Sequence, residues 1–287
     1  MLKEWKYYNH ALISAKLPHE VPNLEIFKEK NFWKNGGGYC ILARYTTEFD
    51  CTNKTNWWYC IKDTPFDIST LKSKRRYEIN KGRKNFEVKK FEPLGIEDEF
   101  YEVEIQAYST YPLKYRPVIT KEDVHNDLLI YKSKPYHIFY GAFDKETGKL
   151  EGYTIIGLTE NILMLGKQKC NPKCESKGIN AVLINSILEE YNSKISKKFY
   201  ICDGERPILH ETNFQEYLIK YFDFRKAYCK LNVEYNPRIK YIINILYFLR
   251  KVFIKFDSIK LIHNINGILK MEEIVRIDKN KEGRKNE

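Results

Sequence analysis

The middle of the chain alternates short apolar runs with amphipathic segments. Runs of alternating apolar residues predict strands, and apolar residues three or four positions apart predict helices. The predicted strands are 86–91, 137–143, 150–158, 162–165, 198–202 and 225–233, and the predicted helices are 96–109, 121–131, 179–192 and 212–221. The central part of the chain is therefore predicted to fold in the order β-α-α-β-β-β-α-β-α-β.

Segments of different character flank this central stretch. Before it, residues 39–45 and 56–62 have the pattern of strands, and residues 68–83 predict a strongly basic helix. The glycines at 36–38 predict a turn, because no helix follows them as a phosphate loop would require. We expect a β-rich N-terminal extension at 1–68, a main domain at 69–235 and a helical tail at 236–287.

The tail predicts two amphipathic helices, at residues 238–256 and 259–277. In the first, apolar residues recur at helical spacing while lysines mark another face. No transmembrane segment is expected, because the uninterrupted apolar stretch is far shorter than the ~20 residues that cross a bilayer. The tail either packs its apolar side on the main domain or makes peripheral membrane contact through 238–277, and the sequence leaves both open.

Composition indicates a globular protein with an anionic partner. The 287 residues include 43% hydrophobic side chains, and the net charge is +11. Such a charge favours a nucleotide cofactor, an RNA, an acidic glycan or a phospholipid surface, although surplus lysine can also serve only to solvate the surface. The odd number of cysteines and the absence of a secretory pattern at the start favour a reduced cytoplasmic chain. Cys170 and Cys174 lack the further ligands of a zinc site, so no metal is expected.

The loop at 167–178 is a candidate phosphate site. It joins a predicted strand to the start of the predicted helix at 179–192. Free backbone N–H groups at a helix start bind anions, and ligands of open α/β sheets lie beyond the carboxyl ends of strands. This arrangement suits the pyrophosphate of an acyl carrier.

The order of the predicted elements resembles that of the GNAT acyltransferase superfamily. The segment Leu71-Lys72-Ser73-Lys74-Arg75-Arg76-Tyr77-Glu78-Ile79-Asn80-Lys81-Gly82 is similar to the basic helix of FemAB-like aminoacyltransferases. The resemblance covers about residues 70–235. It implies an α/β fold with a GNAT-like mixed twisted sheet flanked by helices, here with an N-terminal β-rich extension and C-terminal amphipathic helices.

The resemblance also implies where a donor binds. In GNAT proteins the pyrophosphate of the carrier lies on the loop that enters the third helix, and an Asn lies near the pantetheine arm. The corresponding residues here are Lys177, Gly178, Ile179, Asn180 and Asn213. This loop has one glycine where the family has a tighter glycine pattern, so both acyl-CoA and aminoacyl-tRNA are candidate donors. Gly178 could also serve only to join loop to helix, and Asn213 could serve only as a helix N-cap.

Candidate catalytic residues follow the predicted strand at 198–202. Asp203 and His210 are candidate bases, and Tyr221 is a candidate for the family's proton-donating tyrosine, although Tyr217 competes for that register. Asp203-Gly204 is also a common tight turn, and a lone histidine is often only a surface residue. Side chains assigned to substrate binding are Arg75, Arg76, Arg206 and Tyr217.

We therefore expect an acyltransferase that needs no covalent nucleophile. It would move an acyl or aminoacyl group to an amine or hydroxyl acceptor, either a small molecule or a lipid-linked cell-surface glycan or peptide precursor, in the cytoplasm or at the inner face of the membrane. The alternative is a non-catalytic RNA- or membrane-surface-binding protein with a degenerate acyltransferase fold, which would lose affinity steeply with salt.

Overall fold

The computed structural model describes residues 4–29, 31–34, 39–113, 116–209 and 213–283. By their internal contacts the residues form two compact units. The terminal unit consists of Met1–Cys60, Glu205–Asn213 and Lys226–Glu287, and the central unit consists of Ile61–Gly204 and Phe214–Arg225.

The central unit is a mixed sheet with helices on both faces. Its strands are β5 (Phe86–Lys90), β6 (His137–Asp144), β7 (Leu150–Leu158), β8 (Ile162–Cys170) and β9 (Tyr200–Glu205), of which β9 ends in the terminal unit. They lie in the order β9-β8-β7-β6-β5, and every neighbouring pair is antiparallel except β8 and β9, which are parallel. The helices are α1 (Ser73–Asn85), α2 (Glu97–Ser109), α3 (Lys121–Lys132), α4 (Ile179–Tyr191) and α5 (Asn213–Phe222).

Two hydrophobic clusters fix these helices to the sheet. On one face, α2 and α3 bury Phe100 and Leu128 against Phe139 and Tyr153 of the sheet. Side chains such as Val182 of α4 pack with Ala142 and Phe86 in a separate cluster. Because side chains alternate along a strand, one apolar strand supplies both clusters, as β6 does with Phe139 and Ala142.

The terminal unit also contains a mixed sheet. Its strands β1 (Trp5–Tyr8), β2 (Ala11–Ser14), β3 (Leu42–Thr47), most of β10 (Arg225–Tyr235) and most of β4 (Trp57–Lys62) lie in the order β1-β2-β3-β10-β4. The pair β2 and β3 is parallel, and β3 pairs with β10 antiparallel. Three helices follow: α6 (Lys240–Phe248), α7 (Arg250–Phe253) and α8 (Lys260–Gly283). Met271 and Ile274 of α8 pack with Trp57 and Leu231.

The mixed α/β fold and the order β-α-α-β-β-β-α-β-α-β are confirmed, as β5-α2-α3-β6-β7-β8-α4-β9-α5-β10. Several predicted bounds are wrong. The basic helix begins at Ser73, after a 3-10 turn at Ile68–Thr70, and β1 and β2 were not predicted. Strand β8 continues to Cys170 because its polar second half still pairs with β7. The turn predicted at 36–38 lies outside the described residues.

The tail differs most from its prediction. The single helix expected at 238–256 is divided into α6, α7 and a 3-10 turn at Ile254–Phe256, with the break at Leu249. Across the described part of the chain, no helix has the length and apolar character to span a bilayer.

Candidate active site

The parallel strands β8 and β9 pair over a short distance and then separate. Their register covers only Ile162–Met164 against Tyr200–Cys202, whereas β8 runs on to Cys170 and β9 to Glu205. Because the strands are parallel, both carboxyl ends lie at the same edge of the sheet. The separation leaves an open edge of the kind at which α/β proteins bind ligands.

Helix α4 begins beside this edge and has no side-chain cap. A 3-10 turn at Pro172–Lys177 leads from β8 into Gly178, which has a φ of +85°. Glycine tolerates this left-handed conformation and has no side-chain oxygen to accept from the amides of the first turn. Those N–H groups at the positive end of a 13-residue helix suit an anion.

Helix α1 packs closely on the start of α4. A Cβ at Gly82 would lie 2.6 Å from the carbonyl oxygen of Gly178 and 2.6 Å from the Cβ of Val182. A Cβ at Gly178 would overlap the carbonyl oxygen of Glu78. The two glycines therefore let the backbones touch, which places Glu78 and its neighbours on α1 next to the helix start.

Arg75 lies on α1 one turn before this contact. Its side chain is buried, its guanidinium carbon is 3.8 Å from the ring centroid of Tyr221, and Nη1 donates to the Glu78 carboxylate and to the Tyr217 hydroxyl at 3.3 Å. Within the described chain, its Nε is buried without an acceptor. A buried donor without an acceptor is costly, so this guanidinium is ready to bind a phosphate or carboxylate.

The two tyrosines beside Arg75 have pKa values shifted in opposite directions. Burial raises the pKa of Tyr217, the positive charge of Arg75 opposes that rise, and the Cys170 thiol contributes to it. The hydrogen bond from Lys220, followed by the charges of Lys220 and Arg75, lowers the pKa of Tyr221. Tyr221 is thereby a better proton donor than an ordinary tyrosine.

Asp203 lies inside β9 rather than after it, which corrects the predicted strand end. Burial raises the pKa of its carboxyl group to about 7, and a hydrogen bond from the Gln215 side chain opposes the rise. Gln215 also donates to the carbonyl oxygen of Gly204 at 3.5 Å, so α5 holds this part of β9. A carboxyl group with a pKa near neutrality can take up and release a proton at working pH.

The other residues predicted for the donor site have partners of their own. Lys177 pairs with Asp144 at 3.2 Å, and this contact raises the pKa of the lysine. The Asn180 side-chain oxygen accepts a hydrogen bond from Gln168 at 3.0 Å, and Ile179 is buried in the core. The backbone N–H groups of these residues, rather than their side chains, are therefore what the loop offers to an anion.

The other two arginines predicted for substrate binding donate to backbone carbonyl groups. Arg76 donates to the carbonyl oxygens of Ser69 and Leu71, and Arg206 donates to the carbonyl oxygen of Asn56 at 2.6 Å. Asn213 is exposed at the first residue of α5. His210 lies outside the described residues.

Two residues of the site were missed from the sequence. Glu78 lies three positions after Arg75 on a helix, a spacing at which opposite charges pair, and this signal could have found it. Nothing local to Gln215 indicates that it meets Asp203.

A small pocket with a volume of about 20 Å³ lies in the terminal unit, and none of the predicted site residues lines it. Arg44 and Glu205 line it and form an ion pair. Burial raises the pKa of Glu205, and the Arg44 charge opposes this rise. The uncapped start of α4 and the buried Arg75 belong to the central unit instead. We therefore place the candidate site in the central unit.

The described residues contain no group of three or more His, Cys, Asp or Glu side chains arranged to hold a metal ion. None of the seven cysteines, all of which lie among the described residues, forms a disulfide.

Comparison with known proteins gives structural matches only. No family model and no curated sequence relative matches the chain. L-PGS from Bacillus licheniformis matches with 12% identity and a TM-score of 0.47, covering 84% of this chain and 83% of its own. The C-terminal domain of a putative lysylphosphatidylglycerol synthetase from Agrobacterium fabrum matches with 12% identity and a TM-score of 0.44, covering 78% of each chain. A conserved protein from Staphylococcus epidermidis matches with 10% identity and a TM-score of 0.44, covering 79% of this chain and 84% of its own.

Proposed function

We propose that this protein is an acyltransferase that moves an acyl or aminoacyl group from acyl-CoA or aminoacyl-tRNA to an amine or hydroxyl acceptor. The observation that carries the proposal is the separation of β8 and β9 beside an uncapped helix start and a buried, incompletely bonded arginine. Parallel strands that part at their carboxyl ends leave room for an extended donor.

The donor is held by its phosphate groups. Both candidate donors carry phosphates, which match the N–H groups at the start of α4 and the guanidinium of Arg75. Glu78 and Tyr217 both accept from Nη1, which fixes the orientation of this guanidinium for a phosphate at its other N–H groups. Because both contacts recognise phosphate, they serve either donor.

Asp203 is the proposed general base. The acceptor nitrogen attacks the donor carbonyl carbon and loses a proton to the Asp203 carboxylate. The bond from that carbon to the thioester sulfur or ester oxygen then breaks, and the Tyr221 hydroxyl gives its proton to the leaving group. A pKa of about 7 keeps Asp203 half ionised at neutral pH, so it can accept the proton. The acceptor class that we propose is a small or lipid-linked cell-surface glycan or peptide precursor with a free amine.

Donor binding is the first test. We expect calorimetric titration to show binding of acetyl-CoA or of charged tRNA, and Arg75→Gln to weaken it about 10- to 100-fold through the loss of a charged hydrogen bond. Arg83→Gln removes the same charge from the exposed face of α1, where Arg83 pairs with Glu189, and should change affinity little.

Salt distinguishes a donor site from general charge attraction. Affinity that falls steeply between about 50 and 200 mM salt and is equally reduced by Arg75→Gln and Arg83→Gln would indicate unspecific binding of RNA. That result, or the absence of binding to both donors, would refute the proposed function.

A further inference from the structure

The tail exposes an unusual number of large apolar side chains. Between residues 241 and 261 they include Tyr241 and Phe248, each 78% exposed, and Leu261 and Ile254, at 69% and 68%. The whole set, which we call the apolar face, is Tyr241, Ile242, Ile245, Phe248, Leu249, Val252, Ile254, Phe256, Ile259 and Leu261. Contiguous exposed apolar surface marks an interaction site.

The contacts of α6 with α8 are largely polar. Ile243 is its buried apolar residue, and beside it Asn244 accepts a hydrogen bond from Arg276 of α8 at 2.7 Å. The Tyr247 ring lies between the guanidinium groups of Arg250 and Arg276, each 4.1 Å from its centroid. A surface helix ordinarily buries its apolar stripe and exposes its polar one. Here much of the apolar stripe faces outward, so packing on α8 leaves it uncovered.

Basic residues surround the apolar face. From Arg238 to Leu261 the sequence has six basic residues and one acid. The acid, Asp257, bonds to His263 and Asn266. Lys240, Lys251, Lys255 and Lys260 are all exposed, and no described carboxylate pairs with them. The face therefore combines apolar surface with uncompensated positive charge.

We propose that the apolar face docks on the surface of a membrane that contains anionic lipid. Apolar side chains would enter the boundary between headgroups and acyl chains while the lysines contact lipid phosphates. The break at Leu249 and the short helices fit a segment that lies in the interface. The inference is independent of the proposed transferase activity.

Other partners fit the face less well. Two copies meeting through this face would bring their lysines together, and like charges repel. An RNA would use the lysines but leave the apolar residues exposed to water. An anionic bilayer can bind the lysines at its headgroups and the apolar side chains below them.

The test is co-sedimentation of the full chain with vesicles. We expect binding to phosphatidylcholine vesicles containing phosphatidylglycerol and much weaker binding to phosphatidylcholine alone. Ile245→Ser combined with Phe248→Ser should abolish most of the binding, since both side chains are exposed and their replacement spares the core. Leu113→Ser combined with Val118→Ser removes two exposed apolar side chains elsewhere, 82% and 96% exposed, and should bind like the wild type.

The contribution of the exposed lysines to membrane binding is tested separately. Lys251→Gln combined with Lys255→Gln should weaken binding to the anionic vesicles about thirtyfold, from roughly fivefold for each basic residue near the surface. Lys197→Gln combined with Lys198→Gln lowers the net charge equally from an exposed loop and should have a far smaller effect.

Three results would overturn the proposal. The first is equal binding to both kinds of vesicle. The second is unchanged binding by the Ile245→Ser, Phe248→Ser variant. The third is a wild-type dimer that ignores vesicles and becomes a monomer in that variant, which would assign the face to a second copy of the chain.

Discussion

At the scale of single residues, the site holds two groups in energetically costly states. Arg75 is buried with an unused donor, and Asp203 is a carboxyl group whose burial disfavours its ionised form. Groups of this kind reduce stability unless a ligand or a reaction uses them. The presence of two such groups in the central unit is the strongest residue-level argument for function.

Asp203 should make stability depend on pH. The native carboxyl group keeps its proton up to about pH 7, whereas the unfolded chain releases it near the ordinary aspartate pKa of 3.8. The native state therefore binds more protons between these values, so the group's contribution to stability falls as pH rises through this window and is constant above it.

Asp203→Asn should remove the free-energy cost of ionising a buried carboxyl group. We expect the variant to gain up to about 4 kcal/mol in the free energy of unfolding at about pH 8 and less at about pH 5, measured by urea denaturation. Asp98→Asn changes a carboxyl group that is 77% exposed and should have a small effect at both pH values. A loss of stability in Asp203→Asn at the higher pH would show that the carboxylate is well solvated or paired.

At the scale of elements, the contact between α1 and α4 positions the site. Gly82 and Gly178 let the helices approach, and the approach sets Arg75 and Glu78 beside the start of α4. The basic helix could be predicted from its lysines and arginines, but its contact could not. Arg75 and Tyr217 are 142 positions apart, and no local pattern encodes their meeting.

Widening the contact between α1 and α4 should destabilise the protein. Gly82→Ala brings a methyl group 2.6 Å from the carbonyl oxygen of Gly178, and we expect a loss of about 2–4 kcal/mol in urea denaturation. Gly148→Ala is the control. Gly148 has a positive φ of +70° but no atom within 4 Å of the added Cβ, so the substitution should cost only about 1 kcal/mol. Equal losses in the two variants would mean that the helices do not pack as described.

At the scale of the whole molecule, the order of elements could be predicted because apolar periodicity reports which side of each element is buried. The length of β8 could not be predicted, since Lys167, Gln168 and Lys169 interrupt its apolar pattern while their backbones continue to pair with β7 or extend the strand.

In the tail, the sequence could not predict which residues are buried. Its periodicity predicted an amphipathic segment but could not say which of its many apolar residues protein would cover, since Ile243 is buried whereas Tyr241 and Phe248 are exposed. Six basic residues and one acid in 238–261 supply five of the eleven net positive charges, so this segment is a major source of the chain's basic character.

The pH dependence of acyl transfer, measured once a donor and an amine acceptor are identified, tests the central claim most directly. With Asp203 as the base, kcat/KM of the wild type should rise about tenfold per pH unit below pH 7 and level off above it. Asp203→Asn should be about 10²- to 10⁴-fold slower and lose this dependence. A variant that keeps both the wild-type rate and the wild-type pH profile would contradict the account.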